Sequence, residues 1–232
     1  MPSSSFEPMK SKLQHGIVVS CQPVVGGPMD DDSMVVAMAL AALDGGAKGL
    51  RIEGARRVAK VRTRTEAPLI GLVKRDLQDS MIRISPLIED IEALADAGAD
   101  VIAIDATDRP RPCDLERLVK RAKQLGRFVM ADCSSLADGR SAHAMGCEII
   151  GTTLAGYTGG AEPEDPDLDL IEAMREEGFR VMAEGRFRRP DQARMAIDRG
   201  AWCVTVGSAI TRQEHITGWF VDAVEPAARP QS

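Results

Sequence analysis

The chain has 232 residues, a formal net charge of −6 and only 3% aromatic residues. That length fits one large domain or two small ones. The acidic balance speaks against a nucleic-acid surface, and so few rings speak against stacking platforms for bases. Residues 1–12 are polar and the longest apolar run, 34–43, is far short of the roughly 20 residues a membrane-crossing helix needs, so neither a secretory signal nor a membrane span is expected. The five cysteines (Cys21, Cys113, Cys133, Cys147, Cys203) show no C-x-x-C spacing and read as reduced, buried thiols of a cytoplasmic protein.

In chain order, residues 1–15 form a short helix or plug, and 17–20 are a first apolar strand. Asp32 or Ser33 caps the next helix, which ends at Gly45-Gly46; strand 49–52 follows, with Arg51 near its end. A helix over about 55–65 leads to strand 69–73 and at once to Lys74-Arg75-Asp76. In the next helix Ser85 is the expected cap, Pro86 the first turn and Gly98 the stop, with Leu87, Ile88, Ile91, Leu94 and Ala95 on one face. Strand 101–104 ends in Asp105, helix 114–125 repeats the amphipathic design, and strand 128–131 ends in Asp132. Helix 136–145, strand 148–151, a long loop over 152–166 and helix 168–177 come next. The last two strands, 180–183 and 202–206, end in Glu184-Gly185 and Gly207-Ser208, and between them lies a helix with Pro190 in its first turn and Gly200 past its end. A final helix covers about 214–224, and 227–232 is a loose tail.

Gly46, Gly98, Gly126, Gly146, Gly178 and Gly200 each end a helix just before an apolar strand, which is a weak internal repeat. Eight strand-plus-helix units in this length predict a single (β/α)8 TIM barrel over 16–226. An open doubly wound sheet ranks lower, because no G-x-G-x-x-G follows the first strand.

Parallel α/β folds carry their chemistry at the carboxyl ends of the strands. On that rim the barrel places Gln22, Arg51, Lys74, Asp105, Asp132, Thr152 or Thr153, Glu184 and Ser208. His15, His143 and His215 fall off the rim, so a histidine-bound metal or a catalytic triad is not expected. Lys74, following an apolar strand into a barrel mouth, is suited to act as a base or to form a Schiff base; an ion pair with Asp76 or with a rim carboxylate is the structural alternative. Glu184 is the matching carboxyl on the other side. Gly207-Ser208 at the start of a helix offers free backbone N–H groups to an anion, and Arg212 supplies a bidentate phosphate partner. Arg186, Arg188 and Arg189 either strengthen the positive field over that phosphate or form a solvated basic loop.

The segments IVVSCQ (17–22), GLR (49–51), IGLVKRD (70–76), VIAIDAT (101–107), VMADCSS (129–135), IIGTTLAGYT (149–158), VMAEGR (181–186) and VGSAITR (206–212), in that order, resemble the N-acylglucosamine-6-phosphate 2-epimerase family, also called N-acetylmannosamine-6-phosphate epimerase. The resemblance implies a cytoplasmic enzyme of sialic-acid and amino-sugar catabolism. It would interconvert N-acetyl-D-mannosamine 6-phosphate and N-acetyl-D-glucosamine 6-phosphate through an enolate, without a cofactor or metal. On this sequence it makes Lys74 and Glu184 the catalytic pair, Gln22, Arg51 and Asp132 the sugar-binding residues, and Gly185, Gly207, Ser208 and Arg212 the phosphate-binding residues. It also implies a homodimer, for which the apolar late helix around 216–221 is suited, with no nucleic-acid or membrane partner. The competing readings are another phosphate-gripping barrel, such as a sugar-phosphate isomerase or a Schiff-base aldolase using Lys74, and a barrel that only binds a sugar phosphate.

Overall fold

The structure, a computed structural model, describes residues 3–159 and 161–225. Eight parallel strands follow one another around a closed barrel: β1 (Ile17–Cys21), β2 (Gly49–Glu53), β3 (Leu69–Leu72), β4 (Val101–Asp105), β5 (Phe128–Asp132), β6 (Ile149–Gly151), β7 (Val181–Glu184) and β8 (Cys203–Val206). Because β1 pairs with both β2 and β8, the sheet has no edge, and the open doubly wound alternative is excluded. The outer ring is α2 (Asp32–Asp44), α3 (Ala55–Arg62), α4 (Ile88–Asp96), α5 (Leu115–Gln124), α6 (Leu136–Ala144), α7 (Leu168–Glu176) and α8 (Pro190–Asp198), completed by the one-turn α9 (Ser208–Thr211) and α10 (Gln213–Val224). The six glycines that end helices all have positive φ, between 70° and 97°, the left-handed turn that releases the chain into the next strand.

Residues of alternate parity along each strand feed two different cores. One set, including Val19, Leu50, Ile52, Ile102, Ile104, Val129 and Val204, packs outward against the helices. The other set, including Val18, Ile70, Leu72, Val101, Met130, Ile149, Met182 and Cys203, fills the barrel interior. Met9 and Leu13 of α1 (Ser3–Leu13) join that interior cluster, so the N-terminal helix closes the bottom of the barrel. No helix among the described residues is long and apolar enough to cross a membrane. The expected tail over 227–232 lies outside the described residues.

Two expected caps are corrected. Asp31, not Asp32 or Ser33, caps α2, its Oδ1 accepting from the Ser33 N–H at 2.7 Å. Asp32 turns instead to α3, where Lys60 Nζ lies 2.8 Å and Arg57 Nε 3.3 Å away. Ser85 does not cap α4. It is wholly buried with φ 46°, donates its N–H to the Val73 carbonyl at 2.8 Å, and its Oγ accepts from the Val73 N–H at 3.2 Å. The reason lies in the segment before it, which doubles back so that Ile84 pairs antiparallel with Lys74, and Ser85 closes the base of that turn. The helix then begins at Ile88, where the Asp90 carboxylate accepts from the Leu87 N–H at 3.1 Å.

Candidate active site

The inward parity that fills the barrel with apolar side chains continues past the strand ends and there becomes polar. Two residues on from Leu72 is Lys74; two on from Met182 is Glu184; two on from Met130 is Asp132. Lys74 and Glu184 stand above the apolar plug in a cavity of about 680 Å³ at the carboxyl end of the barrel, and Asp132 lies behind its wall. Its volume is that of a site for a small metabolite. Gln22, Arg51, Lys74 and Glu184 line it, and so do Gly185, Gly207, Ser208 and Arg212 from the β7 and β8 loops.

Arg51 is the hub. Its guanidinium is 2% exposed and donates from NH1 to Glu184 Oε1 at 2.8 Å and from NH2 to Asp132 Oδ2 at 2.7 Å. Burial opposes its charge, but Asp132 and Glu184 together hold it protonated, above its ordinary range. Thr153 donates its hydroxyl to Asp132 Oδ1 at 2.5 Å and lies 3.3 Å from Glu184 Oε2. Of the two threonines on this rim, Thr153 therefore enters the site. Thr152 fixes the backbone beneath it, donating to the Glu184 carbonyl at 2.9 Å and accepting the Glu184 N–H at 3.0 Å. Asp132 is 0% exposed and does not line the cavity; it reaches the site only through Arg51 and Thr153.

Lys74 is exposed, but into the cavity, and its amine has no hydrogen bond or ion pair among the described residues. Asp76 pairs instead with Arg83, at 2.7 Å. Enclosure by the cavity walls, with Arg51 and Arg212 adding positive charge nearby, lowers the Lys74 pKa from 10.5 to about 8. Burial pushes Glu184 the other way, from 4.5 to about 7, with Asp132 adding to the rise and Arg51 opposing it. At the β8 end Gly207 leads into α9, and Arg212 Nε donates to the Gln22 carbonyl at 2.8 Å, which holds the guanidinium at the cavity edge. Gly185 takes φ 110°, so the chain turns away directly after Glu184.

Sequence reasoning missed several neighbours. Ser20 and Thr205 lie on the floor; Tyr157, Glu162, His215 and Trp219 stand higher up. The three loop arginines divide. Arg186 ties the β6 loop down, bonding the carbonyls of Ala155 and Asp165 and lying over the Tyr157 ring at 5.2 Å. Arg188 lies over Trp219 at 5.3 Å. Arg189 faces out and pairs with Asp191. All five cysteines are buried and unbridged, and no cluster of His, Cys, Asp and Glu suited to a metal ion occurs among the described residues.

Residues 35–226 match the family model described as "Putative N-acetylmannosamine-6-phosphate epimerase". The chain belongs to the N-acetylmannosamine-6-phosphate epimerase family. Relatives named "Putative N-acetylmannosamine-6-phosphate 2-epimerase" include one from Haemophilus influenzae, 51% identical over 98% of this chain and 100% of its own. Another, from Photobacterium profundum, is 55% identical over 95% of this chain and 94% of its own. Among solved structures, the N-acetylmannosamine-6-phosphate 2-epimerase from Clostridium perfringens superposes with a TM-score of 0.90 at 34% identity, covering 93% of this chain and 96% of that one. A deoxyribose phosphate aldolase from Aeropyrum pernix shares only the fold, with a TM-score of 0.63 at 17% identity over 91% of this chain and 93% of its own. The family assignment therefore rests on the epimerase matches and not on barrel shape, which hosts many chemistries.

Proposed function

We propose that the protein interconverts N-acetyl-D-mannosamine 6-phosphate and N-acetyl-D-glucosamine 6-phosphate by removing a proton from C2 on one face and returning one on the other. The observation that carries the mechanism is the pairing of Lys74 with Glu184 in one cavity, their pKa values drawn together to about 8 and about 7. At their ordinary values, 10.5 and 4.5, the form with neutral amine and neutral acid is rarer than the ion pair by about a millionfold. With the two values drawn together, that form becomes far commoner. The site thus holds a base and an acid at once, near neutral pH.

In one direction the neutral Lys74 amine takes the C2 proton, whose acidity comes from the neighbouring aldehyde of the open chain, and an enolate forms. Arg51, fixed between Glu184 and Asp132, offers positive charge to the developing oxyanion. The Glu184 acid then gives its proton to the opposite face of C2. Lys74 ends as an ammonium and Glu184 as a carboxylate, which is the state the reverse reaction needs. Gly185, Gly207, Ser208 and Arg212 hold the phosphate and so fix the far end of the chain. Gln22 orients the sugar, and Asp132 acts on it by orienting Arg51.

Both directions use the pair with one shared proton, so kcat/KM is expected to be bell-shaped for either substrate. Activity falls below about pH 7 as Glu184 and Lys74 both become protonated, and above about pH 8 as both lose their protons. A profile flat from pH 6 to 9 would contradict the shared-proton pair. The function itself is tested by proton NMR of N-acetylmannosamine 6-phosphate with the enzyme in heavy water. The expected result is N-acetylglucosamine 6-phosphate carrying deuterium at C2; product without deuterium would rule out the enolate, and no product would rule out the activity.

A cytoplasmic setting accords with five buried, unbridged cysteines. The homodimer has its support in α10, none of whose residues is buried and whose Phe220 and Val224 are 71% and 79% exposed.

A further inference from the structure

Three buried polar atoms on this floor have no hydrogen-bond partner among the described residues: Gln22 Oε1, Arg51 Nε and Thr205 Oγ1. Thr205 is the one that the chemistry above does not use. It lies in the middle of β8 between Val204 and Val206, 1% exposed, and points inward to the cavity. A valine there would fill the same space and leave nothing unpaired. A buried hydroxyl without a partner is destabilising, so its place on the floor calls for something that binds to it.

The surroundings define that something. Thr205 is in register with Glu184 on one side and with Val18 on the other. Two residues further along the same face of β8 is Gly207, in the phosphate cradle, a step of roughly 6–7 Å. Ser20 stands beside Gly207; a Cβ on that glycine would meet the Ser20 Cβ at 3.4 Å. Ser20 Oγ accepts from Gln22 Nε2 at 2.7 Å, which orients the amide and leaves Gln22 Oε1 as a bare acceptor. The Gln22 carbonyl is in turn held by Arg212. The groups that the floor presents next to the phosphate cradle include the Thr205 hydroxyl, able to donate and accept, and the Gln22 amide oxygen, able only to accept. A hydroxyl on a carbon chain, donating to Gln22 Oε1 and accepting from Thr205, satisfies both.

We propose that Thr205 is a specificity-determining residue that, with Gln22 Oε1, anchors a hydroxyl of the open sugar chain close to its phosphate. This adds to the hold on the bound chain without touching the carbon that reacts. The inference rests on the cavity's being a sugar-phosphate site, and it adds a recognition element for the polyol part. Ligands with a phosphate but no chain hydroxyl gain nothing from it.

The test is Thr205→Val, read by kinetics, by calorimetry and by thermal unfolding. The expected result is a KM for N-acetylmannosamine 6-phosphate raised roughly tenfold with most of kcat retained, and a Tm equal to or above that of the unaltered protein. Affinity for D-sorbitol 6-phosphate, an open-chain polyol phosphate with no carbonyl to react, should fall by a similar factor, while affinity for inorganic phosphate stays within about twofold. Thr205→Ser, which keeps the hydroxyl, should restore KM and sorbitol 6-phosphate binding. Unchanged affinity for sorbitol 6-phosphate in Thr205→Val overturns the proposal, as does an equal loss for inorganic phosphate, which would mark a disturbed cradle. The sorbitol 6-phosphate comparison needs no turnover, so its outcome is separate from whether the protein epimerises the amino sugar.

Discussion

Lys74→Ala is expected to lower kcat by about 10²–10⁴-fold without lowering Tm. The amine is the proposed proton carrier on one face of C2, and two of the other cations that line the cavity are committed elsewhere: Arg83 to Asp76, and Arg212 to the Gln22 carbonyl. Arginine side chains also remain protonated and cannot act as bases at neutral pH. The fold should be indifferent, because the amine has no hydrogen bond or ion pair among the described residues, and the two arginines near it disfavour its charge. Affinity for inorganic phosphate should also be nearly unchanged. Circular dichroism, thermal unfolding and steady-state kinetics on the same preparation check all three. A kcat within tenfold of the unaltered enzyme would remove Lys74 from the mechanism.

Glu184→Gln should cut epimerisation by about the same 10²–10⁴-fold, but through a different half of the reaction. Glutamine keeps the size of the side chain and an oxygen that can accept from Arg51 NH1, so the Arg51–Asp132 contact and the fold should survive. Only the proton is lost. Lys74 remains and can still take the C2 proton of the one epimer that presents it on the lysine side. In heavy water, that epimer should exchange its C2 proton for deuterium without being converted, while the other epimer neither exchanges nor converts. The Glu184 carboxylate also supports the Lys74 ammonium, so without it Lys74 gives up its proton at lower pH, and the residual exchange, which needs the neutral amine, should rise with pH to a plateau through a pKa below about 8. Exchange of both epimers at the unaltered rate would show that Glu184 is not the second proton carrier. Exchange of neither would show that Lys74 cannot work alone.

Much of the site was legible because the inward face of a barrel strand changes character once, from apolar to polar, at its carboxyl end. Lys74 after Leu69–Leu72 and Glu184 at the end of Val181–Glu184 stand out for that reason. Thr205 did not, because it lies inside an apolar run and looks like a β-forming residue of the core; its parity with Gly207 was the available signal. The role of Ser85 was hidden by the chain doubling back before it, a pairing of Ile84 with Lys74 that no local pattern announces. Tyr157, Glu162 and Trp219 belong to the β6 loop and α10 and line the cavity, where Arg186 lies over Tyr157 and Arg188 over Trp219, contacts between segments far apart in the chain.

The sequence by itself determined the number and order of the strands, the helix ends at Gly46 through Gly200, and the set of polar residues leaving the strands, since each follows from period and turn chemistry within a few residues. Tertiary structure alone decided that Arg51 sits between Asp132 and Glu184, that Asp132 lies behind the site and not in it, and that Lys74 is left unpaired among the described residues. It also decided the pKa values of the pair. Each depends on distances between strands far apart in the chain and on how much water the closed barrel leaves around a charge, and neither quantity is a property of any local stretch of residues.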